Sequence, residues 1–166
     1  MAIIRALALD VDGVLTDGGV WWSDDGSESK RFSFADIMGV SLATKAGLIV
    51  TLISGEDSPL VDRFAAKMNI ADIARGCKDK AAALRAFAER QRLQLEEICF
   101  MGDDVNDIGA MEIAGFSAAP ANAQPAIRKL ARFVSKANGG NGAVRELVDL
   151  ILSGEIGHLA KIAQVS

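Results

Sequence analysis

The sequence predicts an α/β fold, a parallel sheet covered by helices on both faces. Short apolar runs alternate with helix-patterned stretches along the whole chain, and strand–helix alternation implies βαβ units. The three strongest runs end in carboxylates or in Ser54-Gly55 rather than in hairpin turns. No internal repeat or low-complexity linker interrupts the pattern, so no domain boundary is placed within the 166 residues.

The elements follow in order. Residues 3–9 read as a buried strand ending at Asp10. Residues 19–34 break the alternation: Asp25-Gly26 is a hairpin-turn signal between two strand-like runs, and the hairpin carries both tryptophans, Trp21 and Trp22. Those rings either cover the domain's own core or form a subunit contact, since a lone hairpin is marginal in water. Residues 36–46 form a helix with Asp36 as its expected N-cap and Gly47 as its stop. Strands at 48–53 and 98–101 complete the strong set, with weaker ones at 71–74, 116–119 and 132–134. Helices are expected at 57–68, 79–92, 105–114 and 124–130. The glycines of 138–142 mark a flexible loop before a helix from Ala143 to Leu152, and a partly disordered tail is expected after Gly154.

Composition excludes several function classes. Half the residues are apolar and 24% are charged, which suits a folded core rather than disorder. A net charge of −4 with no basic stripe argues against nucleic acid as a partner. No apolar run is long enough for a membrane span, and the N-terminus lacks the pattern of a secretory signal. Two cysteines, Cys77 and Cys99, make no disulfide framework and fit a reducing cytoplasm. The single histidine, His158, stands near the C-terminus, which removes mechanisms built on a central imidazole. No P-loop and no Gly-x-Ser-x-Gly elbow occurs.

Carboxylates are therefore the plausible nucleophile and acid–base groups. Asp10-Val11-Asp12-Gly13 follows the first strand, and Gly102-Asp103-Asp104-Val105-Asn106-Asp107 follows the run 98–101. Ligands of open parallel sheets gather beyond the carboxyl ends of the strands, where both clusters lie. Paired carboxylates repel unless a proton or cation sits between them, and an oxygen-only site suits Mg²⁺. A calcium loop fails on spacing: from Asp103 the third residue is Val105 and the twelfth is Ala114. Asp103 and Asp104 could alternatively just cap the helix that follows. Ser54-Gly55 can hold a phosphate oxygen at a helix entrance, and Lys80 can neutralise phosphate and nearby carboxylates.

In that order, Asp10-Val-Asp-Gly-Val-Leu-Thr-Asp, Ser54, Lys80 and Gly102-Asp-Asp-Val-Asn-Asp resemble the four motifs of the haloacid dehalogenase superfamily. The lack of a large insertion after the hairpin resembles its capless branch. Within that branch the chain is similar to the phosphatases of 3-deoxy-2-keto sugar acids, which act on octulosonate 8-phosphate and nonulosonate 9-phosphates. The likeness spans nearly the whole chain, including Gly139-Gly140-Asn141-Gly142-Ala143-Val144-Arg145-Glu146.

The resemblance implies a Rossmann-like, doubly wound sheet in one domain over residues 1–166, with a hairpin at about 19–34 and a C-terminal segment and tail at about 138–166. It implies Asp10 as the nucleophile that forms an aspartyl-phosphate, and Asp12 as general acid, then base. Mg²⁺ would be held by Asp10, the Asp12 backbone carbonyl and Asp103, and the phosphoryl group by Ser54, Gly55 and Lys80. Asp104, Asn106 and Asp107 would support them. It further implies a homotetramer whose hairpins pack together and whose C-terminal tails reach a neighbour's site.

Substrate candidates are Glu56, Lys67 and Arg145, the last on the expectation that the glycine loop gives it reach. The octulosonate enzymes carry arginines at positions matching Ser41, Glu56 and Phe64, whereas the nonulosonate type resembles this chain in Glu56 and Lys67 but has an arginine where Phe64 stands. These departures favour a nine-carbon acid. Two alternatives stand beside this: a phosphatase of another small phosphometabolite, and a catalytically silent assembly or regulatory domain.

Overall fold

A computed structural model describes residues 3–156. Its centre is the strand β1 (Ala6–Leu9), buried along its whole length because both faces of the sheet are covered. Alternation sorts its side chains: Leu7 and Leu9 enter one core, Ala6 and Ala8 the other. A small antiparallel hairpin follows, β2 (Trp21–Trp22) paired with β3 (Glu28–Ser29). Then come α1 (Phe34–Lys45), β4 (Ile49–Ile53), α2 (Pro59–Met68), β5 (Asp72–Ala74), α3 (Lys80–Gln91) and β6 (Ile98–Met101). The chain closes with α4 (Ile108–Ile113), β7 (Phe116–Ala119), α5 (Pro125–Leu130), β8 (Phe133–Val134) and α6 (Ala143–Leu152).

The six long-range strands form one parallel sheet in the order β5-β4-β1-β6-β7-β8. The chain works outward from β1 through β4 to β5, then returns to the other side of β1 with β6 and works outward again. That reversal opens a crevice at the carboxyl ends of β1, β4 and β6, the usual ligand position in such sheets. The expected six strands and the α/β class are present. The expected helix at 105–114 is a 3₁₀ turn at Val105–Asp107 that runs into α4.

Helix ends obey local chemistry. Ser58 caps α2 with Pro59 in its first turn, and Asp79 caps α3 by accepting from the Ala82 N–H at 2.9 Å. Gly47 follows α1 with φ 88°, as a stop should. Asp36 is a correction. The N-cap of α1 is Ser33, whose hydroxyl accepts from the Ala35 N–H. Asp36 is buried inside α1 and caps a different helix, accepting the N–H groups of Gly142 and Arg145 at the start of α6, each at 3.1 Å.

The helix expected from Ala143 to Leu152 is present as α6, whereas the loop before it is not the flexible segment expected. Ala143, Val144, Leu147, Val148 and Ile151 form one apolar face of α6 and are buried against the β1 side of the core. At about 1.5–3 kcal/mol for each large apolar side chain removed from water, α6 belongs to the core and not to a tail. Nor is the glycine loop free. Gly139 N–H donates to Asn122 Oδ1 at 3.0 Å, Gly140 N–H donates to the Val14 carbonyl at 3.0 Å, and Arg31 bonds the Gly140 carbonyl and Asn141. His158 and the expected tail beyond Ile156 lie outside the described residues. Among the described residues no helix is long and apolar enough to cross a membrane.

Candidate active site

Asp10 leaves the end of β1 with its backbone N–H held by the Met101 carbonyl at 3.0 Å. The chain then turns sharply. Gly13 takes φ 85°, and Thr16 Oγ1 accepts the N–H groups of both Gly13 and Gly18. A Cβ on Gly13 would lie 1.9 Å from Asp103 Oδ2, so the residue type is dictated by the approach of the second acidic loop as well as by φ.

Lys80 is the first residue of α3 and only 2% exposed. Its ammonium lies 3.0 Å from Asp10 Oδ1 and 2.7 Å from Asp107 Oδ1. Burial pulls this ammonium down, and the two carboxylates outweigh that pull and hold it protonated above its ordinary value. Asp107 also accepts the N–H groups of Asp103 and Asp104 on its other oxygen, which curls the 102–107 loop toward β1. Gly102 admits this curl, since a Cβ there would lie 2.5 Å from the Asp107 side chain.

Asp10, Asp103 and Asp107 each offer an oxygen within 4.8 Å of the others. Burial and the Asp107 charge raise Asp10 well above the usual carboxylate range, and Asp103 is raised to about 6, again by burial first and Asp107 second. An oxygen-only donor set carrying this much unrelieved negative charge fits Mg²⁺. When bound, that ion supplies charge neutralisation and polarises a phosphoryl oxygen.

A cavity of about 370 Å³ opens over these groups. It is lined by Asp10, Asp12, Lys80 and Asp103, and also by Gly55, Glu56, Asp104 and Asn106 of the expected residues. Ser54 lies fully buried beneath it, its hydroxyl accepting the Glu56 N–H at 3.2 Å. Two substrate candidates fall elsewhere. Lys67 lines an adjoining cavity of about 610 Å³. The Arg145 guanidinium pairs with Asp149 one turn along α6, and the loop before it packs on the catalytic turn instead of providing reach. Phe64 stacks on Phe32 at 5.0 Å between ring centroids and is nearly buried.

One functional neighbour was invisible in the sequence. Lys30, just past the hairpin, reaches Asp12 Oδ1 at 2.7 Å and Glu28 Oε1 at 3.4 Å. Its side chain is only 5% exposed. Burial lowers this ammonium, but the Asp12 pairing outweighs it and leaves Lys30 raised. Only the path of the chain through the hairpin brings it to Asp12, and no spacing rule connects residues 12 and 30.

A parallel sheet whose central strand ends in an aspartate, flanked by a buried lysine and an acidic loop, defines a hydrolase of the haloacid dehalogenase-like class, and residues 56–147 match that family's model. The chain is 37% identical over 149 residues to the 3-deoxy-D-manno-octulosonate 8-phosphate phosphatase KdsC of Escherichia coli, covering 90% of this chain and 79% of that protein. It superposes on the Moraxella catarrhalis phosphatase of the same name, solved with magnesium, phosphate and KDO, with a TM-score of 0.88. The two are 35% identical, with 90% of this chain and 86% of that one covered. The cobalt-bound Haemophilus influenzae enzyme (YrbI) gives a TM-score of 0.88 at 32% identity over 92% of this chain and 89% of its own. The chain belongs to this haloacid dehalogenase-like family of octulosonate 8-phosphate phosphatases.

Proposed function

We propose that the protein is a Mg²⁺-dependent phosphatase that hydrolyses the phosphate monoester of a 3-deoxy-2-keto sugar acid, octulosonate 8-phosphate foremost. The observation that carries this is the buried Lys80 bridging Asp10 and Asp107 beside Asp103, at the end of the central strand of a family member. Asp10 attacks phosphorus and becomes the aspartyl-phosphate, splitting one displacement into two steps. Asp12 gives a proton to the departing sugar oxygen and later takes one from the hydrolytic water. Lys80, with Ser54 and Gly55, holds the phosphoryl oxygens as charge shifts onto them. Asp10, Asp103 and the Asp12 carbonyl hold the metal; Asp107 fixes Lys80 and the 103–104 turn.

The named relatives support the eight-carbon substrate over the nine-carbon acid that the residue departures favour. The nine-carbon acid remains a second substrate to test, because Glu56 lines the active-site cavity and Lys67 the adjoining one.

One domain over residues 1–166, cytoplasmic and assembled as a homotetramer, completes the proposal. Trp21 and Trp22 are each 76% exposed, and Val20 next to them in sequence and Phe34 and Met38 of α1 are exposed too. Apolar area of this kind on a small hairpin calls for a covering subunit.

The test is phosphate release from eight- and nine-carbon sugar-acid phosphates, with Mg²⁺ and with excess chelator, in the parent and in Asp10→Asn. The amide cannot attack phosphorus, so turnover falls by more than about 1,000-fold while the unfolding temperature is kept. Residual hydrolysis above that level, or full activity without metal, rejects the mechanism.

A further inference from the structure

Each of the two aspartates at the end of β1 has its own buried lysine, brought from a different part of the chain. Lys80 serves Asp10, and Lys30 serves Asp12. Cations this buried persist only when paired. The pairing is one-sided: Lys30 takes Asp12 Oδ1, while Asp12 Oδ2 is buried and has no hydrogen-bond partner. An orphaned buried carboxylate oxygen is costly, so the Lys30 contact is the one that holds this carboxyl in place. Asp12 lines the active-site cavity, where the departing oxygen of a bound phosphate ester would sit.

Lys30 is in turn held from the hairpin. Glu28 lies 3.4 Å from its ammonium, and the other Glu28 oxygen accepts the Trp22 indole N–H at 2.9 Å. A chain of polar contacts thus runs from an exposed tryptophan on β2, through Glu28 and Lys30, to Asp12.

We propose that Lys30 is a positioning residue for the phosphatase reaction: by gripping Asp12 Oδ1 it fixes the carboxyl at the edge of the active-site cavity, and the hairpin fixes Lys30. This rests on the role of Asp12 in the function proposed above. A lysine that only stabilised the hairpin would affect all substrates alike. A lysine that orients the proton donor matters most where the leaving group needs a proton. An alkyl sugar oxygen needs one and p-nitrophenolate hardly does.

The test is Lys30→Met, which keeps the length of the stem and removes the cation. Misplacing a reacting group by an ångström costs about 100-fold, so kcat for the sugar-acid phosphate falls by about that factor with KM moving far less. The loss on p-nitrophenyl phosphate is at least about ten-fold smaller, because the affected step is proton transfer. Lys30→Arg, which keeps a cation beside Asp12, recovers most of the difference and serves should Lys30→Met not fold. Adding Lys30→Met to Asp12→Asn costs little more than Asp12→Asn alone, because one acts through the other.

Equal losses on both substrates, or fully additive losses in the double variant, overturn the assignment of Lys30. An Asp12→Asn protein that hydrolyses the sugar-acid phosphate normally instead overturns the Asp12 role beneath it, so the two failures are distinguishable.

Discussion

Gly139 gives the sharpest test of how the active-site turn is held. Its φ is not in the left-handed region, so an alanine is not excluded by backbone strain. It is excluded by contact: a Cβ there would lie 1.8 Å from the Gly13 carbonyl oxygen and 3.0 Å from that of Thr16. Both atoms are backbone of the turn that aims Asp10 and Asp12. Neither side yields easily. Gly139 is bonded to Asn122, Gly140 to Val14, and Glu146 accepts the N–H groups of Lys136 and Ala137 just before the loop. To restore an ordinary contact the two backbones must separate by about 1.5 Å, an overpacking that costs about 1–3 kcal/mol. A shift of that size at the reacting carboxylates costs about 100-fold in rate.

Gly139→Ala is therefore expected to stay folded, to unfold several degrees lower, and to lose about 100-fold in kcat/KM. Because the nucleophile itself moves, the sugar-acid phosphate and p-nitrophenyl phosphate suffer alike. The control is Gly109→Ala in α4, where a Cβ would make only an ordinary 3.4 Å contact with Ala81. There stability is unchanged or improves by up to about 1 kcal/mol. A Gly139→Ala enzyme with parental kcat/KM would refute the claim that this loop buttresses the catalytic turn.

Lys80→Met leaves Asp10 and Asp107 buried without their cation, so urea unfolding at neutral pH without metal shows a loss of about 3–5 kcal/mol, part of which Mg²⁺ restores. In metal-free protein the raised carboxyls of Asp10 and Asp103 contribute stability fully present below about pH 4, their ordinary value, and lost as the pH rises through about 6 for Asp103 and through the raised value of Asp10. The unfolding temperature in chelator thus declines across that window while the Mg²⁺-induced gain grows. If Asp103→Asn does not flatten the decline, the cause is misassigned. Replacing Trp21 and Trp22 with glutamate lowers the sedimenting mass toward that of a monomer, and an unchanged oligomer removes the hairpin from the interface. Deletion after Ile156 tests the tail without touching α6; a cut before Gly139 would remove the five buried side chains of α6 and Ile156 besides.

Much of the molecule is written in local signals. Apolar runs bounded by acidic or Ser-Gly ends marked the strands, because a strand buried on both faces must be apolar throughout and must hand over to polar loops at the crevice. Gly47 is legible for the same reason: a helix stop depends on atoms within a few residues. The carboxylate motifs at 10–12 and 102–107 and the lysine at 80 were readable in order, since each follows its strand by a short fixed turn.

Tertiary structure alone decided the rest. Asp36 looks like the cap of its own helix, yet it serves α6 across 106 residues of sequence, because α1 and α6 pack so closely that a Cβ on Gly39 would meet Arg145 Cα at 2.9 Å. Gly139 and Gly140 read as freedom and turned out to be contact, which no local propensity distinguishes. Lys30 carries no motif, and its partner is chosen by where the hairpin folds. Covalent neighbours set caps, turns and periodicity within a few residues. Which lysine meets which aspartate depends on how whole elements stack, and that is decided only when the sheet closes around its two cores.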